Sequence, residues 1–136
     1  MKLIVDTNIL ISGLIKDSVN RSILMNPKFQ FYIPDFSLIE IFKYLPLIAK
    51  KTNLKQSKIT KTLNIFLKNF KIIPISEYKP FLKKAFQIIG NIDEKDVPFI
   101  AIALAIKNDG ILSNDRHFEK QDNIKVFSSE DLMQYF

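Results

Sequence analysis

The 136-residue chain contains no cysteine, which excludes disulfide bonds and thiolate metal ligands. It also lacks any run of about 18 consecutive apolar residues, so we expect no membrane-spanning helix. The first residues lead directly into a strand pattern without a cleavage site, and no signal peptide is expected. These absences together predict an intracellular, cytoplasmic protein.

Glycine is also scarce, with three residues in the whole chain. Gly90 and Gly110 each follow a helical pattern, where we expect a residue with positive φ. No GxxxxGK sequence is present, which excludes a P-loop nucleotide site. Repeats and linkers are absent, and apolar residues make up 47% of the chain. Residues 1–136 therefore predict a single folded domain.

Acidic residues are missing from residues 41–76, although that segment contains eight lysines. From residue 91 onward, nine acids outnumber five bases. Lysines on helix surfaces are often merely solvated, which is one explanation of the basic segment. The other is a surface that contacts phosphates, because clustered lysines attract polyanions. For that role the sequence suggests Lys50, Lys51, Lys55, Lys58 and Lys61.

Strand and helix patterns alternate along the chain. Strands are predicted at residues 2–5, 29–33, 71–75, 110–113 and 125–127. Helices are predicted at residues 8–16, 19–26, 35–50, 55–69, 78–89 and 97–108, and the SSED sequence at 128–131 resembles a capping box that starts a terminal helix. This alternation favours an α/β fold, a three-layer sandwich whose central, mainly parallel sheet is flanked by helices.

The predicted helix at 55–69 separates its apolar and basic residues. At 100° per residue, Ile59, Leu63 and Phe66 share one side of the helix. Lys55, Lys58, Lys61 and Lys68 lie on the other side. The helix can therefore pack on the domain while its lysines face outward.

Four acidic residues are predicted to lie at or near the edge where such a sheet binds its ligands. Asp6 ends the first strand and Asp115 follows the fourth, so both should reach the carboxyl edge of the sheet. Asp96 precedes a helix with Pro98 in its first turn, which places it at a helix start. Glu40 lies within a helix, between Phe36 and Tyr44, and we expect that apolar row to face the body of the protein.

Each acid also has an ordinary structural explanation. Asp6 and Asp96 could be helix caps, Asp115 a turn residue, and Glu40 a surface partner of Lys43. Convergence of all four on one edge argues against these explanations. Two carboxylates about 4 Å apart repel by roughly 4 kcal/mol at an effective dielectric near 20, so such a cluster needs a cation. With no cysteine and one histidine, oxygen ligands favour Mg²⁺ or Mn²⁺.

The sequence resembles the PIN domain family, metal-dependent nucleases that include the VapC-type ribonuclease toxins. The resemblance rests on VDTN at residues 5–8, Glu40 after PDFSLI, DVPFIAIAL at 96–104 and SND at 113–115. It implies that Asp6, Glu40, Asp96 and Asp115 are catalytic, that Asp6, Asp96 and Asp115 bind the metal, and that Asn8 and Ser113 are polar supports. Ser113 stands where the family often has threonine, and Asp93 and Glu94 are further acids beside Asp96.

The resemblance implies a Mg²⁺- or Mn²⁺-dependent ribonuclease that hydrolyses RNA phosphodiester bonds. Its expected partners are RNA, an antitoxin protein and a second copy of the chain. A haloacid-dehalogenase-type phosphatase would need an acid at residue 8, which is Asn8, and a receiver domain would need an acidic pair near the first strand. A non-catalytic RNA-binding or partner-binding module on the same fold remains the alternative. The single histidine, His117, is expected to be a surface residue.

Overall fold

A computed structural model describes residues 1–135 of the chain. Its five strands form one entirely parallel sheet in the order β3-β2-β1-β4-β5, so the first strand lies in the middle. The strands are β1 (Lys2–Val5), β2 (Gln30–Pro34), β3 (Phe70–Ile73), β4 (Gly110–Leu112) and β5 (Val126–Phe127). The predicted sheet is confirmed.

Helices cover both faces of the sheet. They are α1 (Thr7–Ile15), α2 (Val19–Leu24), α3 (Asp35–Thr52), α4 (Gln56–Leu67), α5 (Ile75–Tyr78), α6 (Leu82–Ala85), α7 (Val97–Ala105) and α8 (Ser129–Met133). Short 3-10 helices occupy Lys79–Phe81, Glu94–Asp96 and Arg116–Lys120, and a π-helical turn occupies Phe86–Gly90. None of the helices in residues 1–135 is both long and apolar enough to cross a membrane.

Successive side chains of the central strand enter different cores. Leu3 and Val5 pack into an apolar cluster with α1 to α4 and α8, whereas Ile4 packs against α5 to α7 on the opposite face. This alternation is the period-two geometry of a strand that is covered on both faces. The three-layer α/β sandwich predicted from the sequence is therefore confirmed.

Helix α4 separates apolar and basic residues as the sequence predicts. Ile59, Leu63 and Phe66 are buried, while the lysines of α4 and its flanks are exposed. Asn53 ends α3 in the left-handed conformation, with φ of 57°. Asparagine tolerates this conformation because its short polar side chain makes local hydrogen bonds. The terminal helix begins with the capping box expected at Ser128.

Two expectations about glycines and helix ends need correction. The expectation of positive φ is wrong for Gly90, which is the last residue of the π-helical turn, and is confirmed for Gly110, which has φ of +146° and begins β4. A Cβ on Gly110 would lie 2.6 Å from the Lys125 carbonyl oxygen, so strand pairing with β5 requires glycine there. Helix α7 ends at Ala105, three residues early, because the Asn108 amide donates to the carbonyls of Ala103 and Ile106.

Candidate metal centre

A cavity of about 650 Å³ opens at the carboxyl edge of the sheet. Strand β1 ends beside it at Val5, and the segment after β4 and the start of α7 contribute other parts of its wall. The acidic residues that line it are Asp6, Glu40, Asp93, Glu94, Asp96 and Asp115. The structure therefore brings together all four acids that the sequence singled out, together with the two neighbours of Asp96.

Asp6 is held rigidly at the junction of β1 and α1. Its backbone N–H donates to the Leu112 carbonyl of β4 at 3.0 Å, which fixes the strand end. One carboxylate oxygen, Oδ1, accepts the Asn8 backbone N–H at 3.4 Å and caps α1. The residue is 6% exposed. Burial raises the pKa of the Asp6 carboxyl, while the hydrogen bond from Ser113 acts in the opposite direction.

Ser113 links two of the acids. Its hydroxyl donates to Asp6 Oδ2 at 2.8 Å and accepts the backbone N–H of Asp115 at 3.0 Å. Ser113 is buried directly after β4, so these contacts lie on a rigid strand end. The hydroxyl therefore fixes the orientation of the Asp6 carboxylate relative to the backbone of Asp115.

Asp96 is the acid with the most perturbed environment. Its side chain is 8% exposed, and among residues 1–135 its buried Oδ2 atom accepts no hydrogen bond. The pKa of Asp96 is raised from 3.8 to about 7, first by burial and then by the negative charges of Asp93, Asp115 and Asp6. A buried carboxylate oxygen without a partner costs free energy unless a cation or donor compensates it.

The sequence did not predict the position of the His117 ring. Its side chain is 43% exposed, as expected for a surface histidine, but Nδ1 lies 3.0 Å from Asp93 Oδ2. The same nitrogen lies 3.4 Å from Asp115 Oδ1 and 3.9 Å from Asp96 Oδ2. A 3-10 turn after Asp115 produces this position, because Asp115 Oδ1 also accepts the His117 backbone N–H at 2.9 Å.

Four side chains offer potential metal ligands within 4.8 Å of one another: Asp93, Asp96, Asp115 and His117. The donor set, together with the unpartnered Asp96 oxygen, fits a divalent cation. Asp6 lies outside this group of four but lines the same cavity, and its charge contributes to the raised pKa of Asp96. Glu94 lines the cavity without joining the group.

Glu40 reaches the cavity from an exposed side of α3. The expectation that its helical row faces the body is wrong, because Glu40 and Tyr44 are exposed and only Phe36 is partly buried. The buried side of α3 contains Ser37, Ile41 and Leu45 instead. Asn8 is also exposed at the cavity wall, where its backbone N–H is the group that contacts Asp6.

The proposed RNA-binding lysines lie away from the cavity. Lys50, Lys51, Lys55, Lys58 and Lys61 are all exposed, and none of them lines it. Lys50 follows Glu40 by ten residues on the same helix, which corresponds to about 15 Å along the helix axis. The basic surface and the acidic cavity are therefore separate features connected by α3.

Comparison with known proteins identifies a matching family and a similar solved structure. The sequence profile of a family described as PIN domain matches residues 4–130. The fold is similar to a protein chain in the crystal structure of VapBC2 from Rickettsia felis bound to a DNA fragment from their promoter, with a TM-score of 0.64 and 19% identity over 94% of this chain and 98% of that chain. Among proteins of curated function, none shows significant sequence similarity to the chain.

Proposed function

Because the chain belongs to the PIN domain family, we propose that it is a metal-dependent ribonuclease that hydrolyses RNA phosphodiester bonds. We further propose that it is the toxin of a toxin–antitoxin pair. The observation that carries the nuclease proposal is the convergence of Asp6, Glu40, Asp96 and Asp115 on one cavity. The buried, unpartnered oxygen of Asp96 supports a cation there, since a cap or turn residue would have no need of one.

In this mechanism, Asp6, Asp96 and Asp115 would hold Mg²⁺ or Mn²⁺. When bound there, the cation would supply a more acidic water and compensate negative charge on the phosphate. Ser113 keeps the Asp6 carboxylate in one orientation through its 2.8 Å hydrogen bond, and the Asn8 N–H supports the other oxygen of Asp6. We assign proton acceptance from the attacking water to Glu40, since its exposed side chain lines the cavity and lies outside the buried group.

The exposed lysines of α3 and α4 supply the attraction for RNA phosphates that the acidic cavity cannot provide. An acidic cavity repels phosphates, and a basic surface beside it offsets that repulsion and concentrates RNA at the protein. Lysine contacts to phosphate carry little sequence information, so these residues contribute affinity without selecting bases. We therefore propose that Lys50, Lys51, Lys55, Lys58 and Lys61 bind the RNA backbone.

We also propose an antitoxin protein as a partner. The structurally similar VapBC2 assembly is a complex bound to promoter DNA. In this chain, Tyr44 and Leu47 are 48% and 47% exposed on α3, and Tyr44 lines the cavity wall. Apolar side chains beside a polar cavity suit a protein that covers the site. Co-expression with a candidate antitoxin encoded by an adjacent gene should suppress cleavage.

The family resemblance also implies a homodimer, which we propose for this chain. Light scattering would test it.

The nuclease proposal is tested by replacing Asp6 with asparagine. Asp6→Asn keeps a capping oxygen and the side-chain shape but removes one negative charge. We expect it to lose Mg²⁺-dependent cleavage of a mixed RNA pool, while its melting temperature in chelator stays level or rises because a like charge has left the cluster. Added Mn²⁺ should stabilise the wild type more than the variant, since fewer ligands remain to bind it.

The matched control is Asp122→Asn, which removes one carboxylate from an exposed turn that does not line the cavity. Asp122→Asn should cleave like the wild type and gain the same stability from Mn²⁺. A wild type that never cleaves RNA with either ion would favour the non-catalytic binding module. An Asp6→Asn variant that cleaves as well as the wild type would remove Asp6 from the mechanism.

A further inference from the structure

Asp93 lines the cavity, and the His117 ring contacts Asp93; neither residue belongs to the acid quartet of the proposed nuclease. His117 Nδ1 faces three carboxylates at once, at 3.0, 3.4 and 3.9 Å. An Nδ1–H group can satisfy one acceptor well, and the longest of these distances is outside hydrogen-bonding range. A simple hydrogen bond to Asp93 therefore leaves the Asp96 oxygen without a partner, as the structure shows for residues 1–135.

The spacing of these atoms suits ligands of one cation. In an octahedral site with bonds of about 2.1 Å, neighbouring ligand atoms lie roughly 3.0 Å apart and opposite ones roughly 4.2 Å apart. The three distances from His117 Nδ1 to carboxylate oxygens fall between these values. The four ligand groups all lie within 4.8 Å of one another, and the least exposed of them contains the unpartnered oxygen. This buried oxygen is an observation independent of the clustering itself.

We infer that His117 Nδ1, with Asp93, Asp96 and Asp115, forms a divalent-cation site that has one nitrogen ligand and prefers Mn²⁺ or another first-row transition metal over Mg²⁺. Imidazole nitrogen is a good ligand for first-row transition metals, whereas Mg²⁺ favours oxygen ligands. The inference rests on the proposed function, because both involve the same cavity and two of the same metal ligands, Asp96 and Asp115. It adds two ligands, Asp93 and His117, and a metal preference that the acid quartet alone does not give.

The chain offers a clean spectroscopic test because His117 is its single histidine. The protein is prepared without an affinity tag, loaded with less than one equivalent of Mn²⁺, and examined by electron spin-echo envelope modulation. We expect nitrogen modulation from a directly bound imidazole, and its frequencies should change when histidine alone is labelled with ¹⁵N. This labelling experiment uses the unaltered protein, so a folding defect cannot explain its result. Absence of imidazole modulation from bound Mn²⁺ would overturn the inference.

Calorimetric titration tests the metal preference. His117→Gln should lower Mn²⁺ affinity about ten-fold or more, and Mg²⁺ affinity by less than about three-fold, because the lost ligand matters most to the transition metal. Asp93→Asn should also weaken Mn²⁺ binding, while Glu94→Gln should weaken it less. The last two variants each remove one negative charge from the same cavity, so their difference separates ligation from general electrostatics. Equal effects of Asp93→Asn and Glu94→Gln would contradict a ligand role for Asp93.

Failure of this inference can be distinguished from failure of the nuclease proposal. Asp6 is outside the group of four, so Asp6→Asn should retain the nitrogen modulation even where RNA cleavage is lost. A protein that coordinates Mn²⁺ through His117 but never cleaves RNA would keep this inference and reject the nuclease. A protein that cleaves RNA with Mn²⁺ bound by oxygen ligands alone would reject this inference and keep the nuclease proposal.

Discussion

Asp96 combines a proposed function with an electrostatic cost. It is buried at the N-cap of α7, its Oδ2 atom has no hydrogen-bond partner among residues 1–135, and burial, followed by the charges of three other carboxylates, raises its pKa. Without a cation, the folded protein therefore favours the protonated form of Asp96 at pH values where the unfolded chain is ionised. This difference links metal binding, pH and stability at a single residue.

The pKa of Asp96 predicts how stability in chelator depends on pH. Its folded pKa of about 7 exceeds the ordinary value of 3.8, so the stabilising effect of protonation is complete below about pH 4 and is lost as pH rises to about 7. The free energy of unfolding should fall across this window by up to about 4 kcal/mol more in the wild type than in Asp96→Asn. Urea denaturation at several pH values measures this difference.

Mn²⁺ provides the control for the Asp96 experiment. At neutral pH it should restore stability to the wild type, because the cation compensates the ionised carboxylate. Asp96→Asn should gain much less from the same addition. Parallel pH profiles for the two proteins in chelator would contradict the raised pKa and the electrostatic cost attributed to this residue.

Ser113 offers a test of how the Asp6 carboxylate is oriented. Ser113→Ala removes the hydroxyl that donates to Asp6 Oδ2, so we expect RNA cleavage and Mn²⁺ affinity to fall about 10- to 100-fold. Ser113→Thr keeps the hydroxyl and should retain activity within several-fold, although the extra methyl group enters a buried position. Rates and Mn²⁺ affinities of the two variants are compared. Loss of activity in Ser113→Thr equal to that in Ser113→Ala would mean that packing matters more than the hydroxyl.

The sequence located the acids of the cavity but not the full set of contacts. Asp6, Asp96 and Asp115 could be placed because each adjoins the end of a strand or the start of a helix, and parallel topology brings these points together. His117 could not be placed in the same way. The direction of its ring depends on the 3-10 turn at Arg116–Lys120, whose geometry is set by the Asp115 side chain and not by any periodic pattern.

At the scale of elements, one carboxylate joins two helices that follow neighbouring strands. Asp35 begins α3, and its Oδ1 accepts the Tyr78 hydroxyl at 3.0 Å. Its Oδ2 accepts the backbone N–H of Ile75, the first residue of α5, at 3.1 Å. Strands β2 and β3 pair up to Pro34 and Ile73, so Asp35 connects the elements that directly follow them.

Removal of Asp35 should loosen this connection. Asp35→Ala leaves the Tyr78 hydroxyl and the Ile75 N–H without their partner, and we expect the free energy of unfolding to fall by about 2–3 kcal/mol. Tyr78→Phe removes one of these hydrogen bonds and should cost about 1 kcal/mol. Tyr44→Phe, which removes the hydroxyl of a half-exposed residue, serves as the control and should change stability by less than about 0.5 kcal/mol. Equal stabilities of Asp35→Ala and the wild type in urea would refute this linking role.

Regular elements were the most predictable part of the fold. Helix α4 is predicted because its apolar residues repeat on one face, whereas the segment from Ile75 to Gly90 is predicted as a helix at 78–89. It instead contains α5, a 3-10 turn at Lys79–Phe81, α6 and a π-helical turn. Pro80 lies within the 3-10 turn, where its missing N–H favours a change in the hydrogen-bonding pattern. Such changes depend on local backbone contacts that an apolar repeat does not describe.

Across the whole molecule, opposite charges serve different steps of the proposed reaction. In that proposal, the acids of the cavity would hold a cation, and the exposed lysines of α3 and α4 would contact the RNA backbone. Lys95 lines the cavity, but the clustered lysines of α3 and α4 do not. Separation of that cluster from the acids matters, because many lysines there would form ion pairs with the carboxylates and compete with the metal. Helix α3 satisfies this need, since Glu40 and Lys50 lie about 15 Å apart along its axis.

Charge reversal on this surface separates a specific RNA-binding patch from the overall charge of the protein. Reversal of Lys51, Lys58 and Lys61 to glutamate changes the formal net charge from +6 to 0. We expect weaker binding to all RNA sequences alike, and a dependence of log affinity on log salt that is shallower by about 2, since fewer counterions are released from single-stranded RNA. Binding is measured by fluorescence anisotropy at several salt concentrations, with Ca²⁺ in place of Mg²⁺ to slow cleavage.

The matched control reverses Lys79, Lys83 and Lys84, which are exposed on the segment containing α5 and α6, on the opposite face of the sheet. This control reaches the same net charge of 0, so it experiences the same loss of overall attraction for a polyanion. If α3 and α4 contain the RNA-binding surface, the control should lose less affinity and keep a steeper salt dependence. Equal losses in the two triple variants would show that the lysines act only through net charge, because position would then have no effect on binding.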